Sequence, residues 1–290
     1  MNPSILKTVA VALLFGFLCF LPARAANAIE LKKEAATAYE RYLAASEAKM
    51  KREMQSGPFL FVDALPENSR RDAYAKLRGG EVETMRMITN QQGQPALAAQ
   101  ALIHDWIGVV FIPNVSLAQA LGVVQDYGNY QNYYKPGMRN SRVISRTGDK
   151  FDVSLQLYRK SVITVVFNAE FEIEYRRFGA SRVASHSRAT RLVEVQNAGL
   201  ADEHELPPGA SHGLIWRLND YWRFEEKDGG VFVQLESIGL SRSVPSFFAW
   251  LVNPLLNSIP RGVLLSLLST TRTAVVNSRS TAATPDKQAS

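Results

Sequence analysis

Gly213 to Val276 reads GLIWRLNDYWRFEEKDGGVFVQLESIGLSRSVPSFFAWLVNPLLNSIPRGVLLSLLSTTRTAVV. Its first segment alternates. Trp216, Leu218, Trp222 and Phe224 fall on one parity, and Arg217, Asn219, Tyr221 and Arg223 on the other. That is the period-two pattern of a half-buried strand. A second segment sets Val231, Val233 and Leu235 against Phe232, Gln234, Glu236 and Ile238. Between them stands Asp228-Gly229-Gly230, and Asp-Gly flanked by strand patterns is a hairpin signal. After Ser243 the period changes. Val263, Leu264, Leu267, Leu268, Thr271, Ala274 and Val275 share one helical face. The expected fold is α+β of the helix-grip kind: a curved antiparallel β-sheet wrapped around a long C-terminal α-helix, with an extra N-terminal helix. That layout leaves an apolar pocket between helix and sheet.

The string WRLNDYWRFEEKDGGVFVQLESIGLSR, followed by Pro245, Pro254, Ile259-Pro260-Arg261 and Thr270-Thr271-Arg272, resembles the C-terminal part of START-like (SRPBCC, Bet v1-like) proteins of bacterial origin. The resemblance covers roughly Leu102 to Val276. It implies the helix-grip fold, and the family is too diverse for it to imply a ligand. The family has no universal catalytic motif, so the resemblance implies no catalytic residue.

Upstream, the strand pattern is densest from Ser141 onward. Phe151, Val153, Leu155 and Leu157 alternate with polar residues, as do Ile163, Val165, Phe167, Ala169, Phe171, Ile173 and Tyr175. One dry and one wet face identify an antiparallel sheet. Arg182 to Val195 continues the pattern, and Trp106 to Ile112 is an apolar run of strand length ended by Pro113. Ser116 is placed to cap a helix. Tyr127, Tyr130, Tyr133 and Tyr134 then mark either a packed corner or a wet pocket mouth. Glu30 to Gln55 is rich in good helix formers and ends at Gly57-Pro58. Phe59 to Val62 and Glu81 to Thr89 read as short strands, Pro66 to Arg71 as a loop, Asn90 to Pro95 as a turn and Ala96 to His104 as weakly helical.

The start of the chain has the form of a targeting segment. Lys7 precedes an apolar run, Val9 to Leu21, and Ala23-Arg24-Ala25 and Ala26-Asn27-Ala28 are small-x-small sites. Export to the periplasm or medium is expected, with cleavage near Ala25 or Ala28. The expected organisation is a signal peptide over 1–25, an N-terminal helix over 26–57, the helix-grip domain over 58–277 and a disordered tail over 278–290. The only cysteine, Cys19, lies inside the apolar run, so the mature chain would have no disulfide and no thiolate chemistry. Net charge is +6, of which Lys7 and Arg24 supply two. The remainder permits weak, transient contact with an anionic membrane surface. Its scatter along strands, with no basic run, argues against nucleic acid.

Chemistry-bearing motifs are few. Gly209-Ala210-Ser211-His212-Gly213 fits the nucleophile-elbow string, but a strand follows it where the elbow needs a helix. His104, His186, His204 and His212 show no metal-ligand spacing, and no phosphate loop appears, so neither a metal nor another cofactor is expected. The pocket candidates are Val165, Phe167, Phe171, Tyr175, Trp216, Trp222, Phe224, Val233, Glu236, Trp250, Leu264 and Leu268. Each has ordinary core packing as its rival. Arg217 and Glu236 leave two registers open. An odd-summed hairpin gathers the apolar residues on one face and puts Glu236 on the other; a slip by one residue puts Glu236 inside the pocket. Arg242 and Arg261 suit surface ion pairs or an anionic head group at the mouth. Phe247, Phe248, Trp250 and Leu251 form an apolar patch, and Pro254 and Pro260 would break the segment into a short helix, a kink and a long helix, with the first piece a movable lid. The leading function is an exported, non-enzymatic carrier of a lipid or other hydrophobic small molecule. The alternatives are a cyclase- or hydrolase-like enzyme using Glu236, His186 or Tyr175, and an interaction protein with a filled core.

Overall fold

The computed structural model describes residues 31–87, 97–98, 101–160, 164–207, 210–243 and 246–282, with side chains of the last segment described over 259–278. The targeting segment, the turn at Asn90 to Pro95, and the side chain of Trp250 lie outside these residues. The chain begins with α1 (Lys33–Ser56), a 3-10 turn (Phe61–Ala64) and α2 (Glu67–Arg78). The strands β1 (Glu83–Arg86), β2 (Leu97–Ala98) and β3 (Ala101–Pro113) follow. Next come α3 (Leu117–Val124), a 3-10 turn at Tyr127–Asn129 and the single turn α4 (Tyr130–Tyr133). The strand-rich half holds β4 (Met138–Thr147), β5 (Lys150–Lys160), β6 (Thr164–Arg177), β7 (Arg182–Gln196), β8 (His204–Glu205), β9 (Arg217–Lys227) and β10 (Gly230–Arg242), and α5 (Ser246–Ala282) ends the fold.

The strands form one antiparallel sheet in the order β1-β3-β10-β9-β7-β6-β5-β4, with β2 on β3 and β8 on β7. The hairpin β9–β10 turns through Asp228 and Gly229, both at positive φ (55° and 73°), which a two-residue primed turn requires. A Cβ on Gly230 would lie 2.3 Å from the Ile112 carbonyl, so only glycine lets β10 enter beside β3 there. The pairing is odd-summed: Phe224 faces Val233, Trp222 faces Leu235 and Tyr221 faces Glu236. The apolar parity therefore lies on one face and Glu236 on the other, the register that wastes less apolar surface.

Helix α5 lies on the concave face. Leu264 and Leu268 sit over Gly108, where even a methyl would crowd both leucines. Gly262, on the same helix, would meet Arg159 at the end of β5; the sheet thus curls around α5 from β3 to β5. The main apolar cluster joins this concave face to α3, the tyrosine corner and α5. The four-residue spacing of Ala35, Tyr39 and Leu43, with Met50 further on, seats α1 on the convex face, against Tyr221, Ile238 and Leu240. Leu60, Val62, Ala73 and Leu77 cover the rest of that face at Val109, Phe111 and Phe232.

Several local expectations are corrected. Phe61–Ala64 is a 3-10 turn, not a strand, and Pro66 leads into α2, not a loop. Both segments use their apolar residues to cover the sheet, a tertiary demand invisible to local pattern. Ala101 to His104 is strand, because it completes the pairing with β10 from Gly239 to Arg242. Helix α5 passes through Pro254 and Pro260 without ending, since each proline removes one helical hydrogen bond and kinks before it breaks. It also continues to Ala282, beyond the expected start of the tail.

Candidate functional site

Register fixes which residues line the concave face. On β9 these are Leu218, Asp220, Trp222 and Phe224; on β10, Val231, Val233, Leu235, Ser237 and Gly239; on β6, the odd positions from Val165 to Tyr175. The face has two zones. Under the C-terminal half of α5 it is sealed: Phe224, Val233 and Leu268 are 0% exposed. Leu264 and Val275 complete that packing. Tyr134 is hydrogen-bonded to Thr271 (3.0 Å), and the Tyr127 and Tyr175 hydroxyls to each other (2.7 Å). The tyrosine corner is therefore packed core.

Further along the same strands the face is open. Leu218, Asp220, Trp222, Ala189, Leu192, Leu157 and Val165 stay half-buried although they point at the helix side of the sheet. Arg261 donates to Thr84 (3.1 Å) and Arg272 to the Phe111 carbonyl (3.1 Å). Between these two contacts helix α5 thus runs along β3, from the Phe111 row to the Thr84 row.

One cross-strand row in this open zone is polar. Ser187, Asp220, Ser237, Trp106 and Arg86 are successive register partners across β7, β9, β10, β3 and β1. Burial pushes the Asp220 carboxyl up to about 6, against a hydrogen bond from Ser237. One pleat away, His104 Nε2 lies 2.9 Å from Ser241 Oγ while Nδ1 has no partner. Burial, with the Arg86 charge nearby, holds its imidazole down to about 4, so it is neutral at physiological pH. The buried Trp106 Nε1 also lacks a partner.

The structure thus brings Val165, Phe167, Phe171, Tyr175, Trp222, Phe224, Val233, Leu264 and Leu268 to the concave side. Of these, Phe224, Val233, Leu264 and Leu268 are sealed against one another. Three of the sequence's site expectations are corrected. Glu236 stands on the convex face, as the odd-summed pairing dictates, under α1 beside Asp105. His186 is also convex: its ring stacks on Tyr221 at 4.4 Å, and Nε2 lies 2.9 Å from Asn219 Oδ1. Neither can act on a molecule beneath α5. Trp216 precedes the first ladder pair of β9 and packs against the α1 cluster instead.

The sequence reading missed Asp220, Ser237, Ser187, His104 and Arg86. A signal was present. Asp220 occupies the apolar parity of its strand, between Leu218 and Trp222, where a half-buried strand has no use for a charge. The nucleophile-elbow string proves structural. Glu194 accepts from Ser211 Oγ (3.0 Å) and the His212 amide (3.1 Å), and His212 Nδ1 lies 2.6 Å from it. The serine hydroxyl is thus tied to a buried carboxylate that also holds the loop backbone, and the string leads into β9 where an elbow needs a helix. Among the described residues no group of three His, Cys, Asp or Glu side chains could hold a metal ion, and no helix is long and apolar enough to cross a membrane.

The chain has the helix-grip architecture, a curved antiparallel sheet gripping a C-terminal helix. No family model and no curated protein matches the sequence. Among solved structures the chain is similar to a STAR-related lipid transfer protein fragment from Xanthomonas axonopodis (18% identity, 62% of this chain and 98% of that one, TM-score 0.41). It is also similar to human STARD10 (9% identity, 74% and 82%, TM-score 0.43) and to the Zhui aromatase/cyclase from Streptomyces sp. R1128 (9%, 63% and 99%, TM-score 0.43).

Proposed function

We propose that this chain is an exported, non-enzymatic binding protein that holds a lipid or other apolar small molecule between the open zone of the concave face and α5. The observation that carries the reading is the contrast along single strands. Phe224 is sealed, yet Trp222 and Leu218 on the same face of β9 remain accessible, as do Leu192, Leu157 and Val165 across the curve of the sheet. Apolar side chains left accessible inside the curl of a sheet are a lining, ready to be covered by ligand hydrocarbon. Burial of hydrocarbon is worth about 0.8 kcal/mol per CH₂, so a twelve-carbon chain supplies on the order of ten kcal/mol before the costs of ordering. The apolar run and small-x-small sites of the first 28 residues support export.

The test is to purify the protein from an exporting host, denature it, extract with organic solvent and analyse the extract by mass spectrometry, with N-terminal sequencing of the mature chain. A stoichiometric apolar molecule and a start near Ala26 or Ile29 are expected. An empty extract, together with no binding of a neutral fluorescent apolar probe, would reject the carrier in favour of a filled core.

A further inference from the structure

The chamber proposed above has one ionisable group at the centre of its floor. Asp220 belongs to β9, which is paired on both sides, so it stands in the body of the sheet and not at an edge. Its strand neighbours on the same face are Leu218 and Trp222, and its register partners are Ser187 and Ser237. Despite this central place the residue is only half-buried, and burial still raises its carboxyl. A carboxylate has about four acceptor sites, and Ser237 fills one of them.

No cation answers it. Among the described residues Asp220 forms no ion pair. Along its row the next cation is Arg86, three strands away, roughly 14 Å at ordinary strand spacing. The sequence from Ser243 to Pro260, which leads into and forms the first turns of α5, contains no charged residue. A buried carboxylate is ordinarily paired or hydrogen-bonded; on the convex face of this sheet Asp105 accepts from Tyr42 and Glu225 pairs with Arg182. At Asp220 the missing donor has to come from what the chamber holds. Trp222 adds an aromatic face two residues along the strand, and rings attract ammonium groups.

Resting on the chamber reading, we infer that Ser187, Asp220, Ser237 and Trp222 form a polar subsite that selects an amphiphile whose buried head group donates hydrogen bonds, an ammonium or hydroxyl, over one with a carboxylate head. The serines orient the carboxylate, the ring flanks the head group, and the half-buried apolar residues take the chain.

The experiment is displacement of the neutral probe N-phenyl-1-naphthylamine from the purified mature protein at neutral pH by dodecylamine, dodecanol and dodecanoate. The wild type should release the probe at amine concentrations about ten-fold lower than for the acid, with the alcohol between them. Asp220→Asn, with each displacement referred to the variant's own probe affinity, should shrink that ratio to about two, and Trp222→Leu should narrow the lead of the amine over the alcohol. The positive net charge of the protein would by itself favour the acid, so an amine preference reports the local site. Equal displacement by all three heads, or a preference for the acid, overturns the inference from the wild type alone, even if Asp220→Asn fails to fold. An undiminished ratio in a folded Asp220→Asn protein also overturns it. Failure of the wild type to bind the probe at all would remove the chamber itself.

Discussion

The two faces of this sheet bury polar groups in opposite ways. On the convex face Arg223, Tyr221, Asn219 and Asp105 each meet a partner brought by the covering segments. Arg223, 2% exposed, reaches Glu53 and the Phe59 carbonyl, each at 2.9 Å. Tyr221 donates to Glu47, Asn219 to Tyr39, and Asp105 accepts from Tyr42. On the concave face Asp220 has a serine, and the first turns of α5 carry no charge. The contrast teaches that a polar residue buried on a strand is not in itself a site. What matters is whether the element that covers it completes its bonding. Register alone sets aside Glu236 and His186, both on the convex face, and leaves Asp220 as the carboxylate on the other.

The largest way to break the contrast is to open the completed face. Replacing Arg223 by Met keeps most of its volume but strands Glu53 and the Phe59 carbonyl. Removing one partner of a buried pair destabilises by about 3–5 kcal/mol. Equilibrium urea unfolding should show a loss of this size with probe binding intact in the remaining folded protein. A loss below about 1 kcal/mol, the scale of an exposed pair, would mean that the apolar stripe of α1 alone holds the helix down.

The acid pair under α1 gives the next effect. Asp105 and Glu236 are each 4% exposed. Burial pushes both carboxyls up, to about 7 and about 8, and the nearby Asp105 charge adds to the rise at Glu236. From α1 and β9, Lys49 and Arg223 favour ionisation of Glu236, and Glu53 opposes it. Because the folded values lie above the unfolded ones, the native state holds these protons more tightly. Their contribution to stability is fully present below about pH 4 and is lost as pH rises through about 8. One pKa unit corresponds to 1.36 kcal/mol, so the rise at Glu236 alone, from 4.5 to about 8, corresponds to roughly 4–5 kcal/mol over that window. His104, held neutral, acts in the opposite sense at acid pH, so the reading is the difference between Glu236→Gln and wild type. The variant should gain stability by urea unfolding at pH 8.5 and gain little at pH 5. An equal gain at both would show that Glu236 is not protonated in the native state.

What the sequence carried of this contrast follows from period. The alternation of β5, β6, β9 and β10, the Asp-Gly turn and the apolar stripe of α5 are local patterns, and they fixed the sheet and the gripping helix. Local pattern failed where an element exists to cover another. Nothing within Glu67–Arg78 announces that Ala73 and Leu77 close over Phe111 and Phe232, and Ala101–His104 becomes strand only because β10 pairs with it. The site was half legible. Trp222, Phe171 and Val165 were found as apolar parity residues, but parity could not tell a sealed Phe224 from an accessible Trp222, since that depends on where α5 closes. Asp220 was visible as a charge on the wrong parity and was passed over because its neighbours made the strand reading work without it.

That last distinction is testable at two positions on one strand face. Phe224 is sealed by core on all sides, whereas the ring of Trp222 remains partly accessible. Phe224→Ala should therefore leave a cavity and lose about 3–5 kcal/mol, the range for a large aromatic residue in a packed core. Trp222→Ala removes a side chain that never fully left water, so its transfer contribution is only partly forfeited, and about 1–2 kcal/mol is expected. Binding should be ordered the other way. Trp222→Ala deletes lining, and the neutral probe should bind about ten-fold more weakly, equivalent to ~1.4 kcal/mol, while folded Phe224→Ala protein should bind it nearly as the wild type does. If both variants lose similar stability and neither changes probe binding, the accessible stretch of β9 is only loosely packed core, and the two zones of the concave face are one.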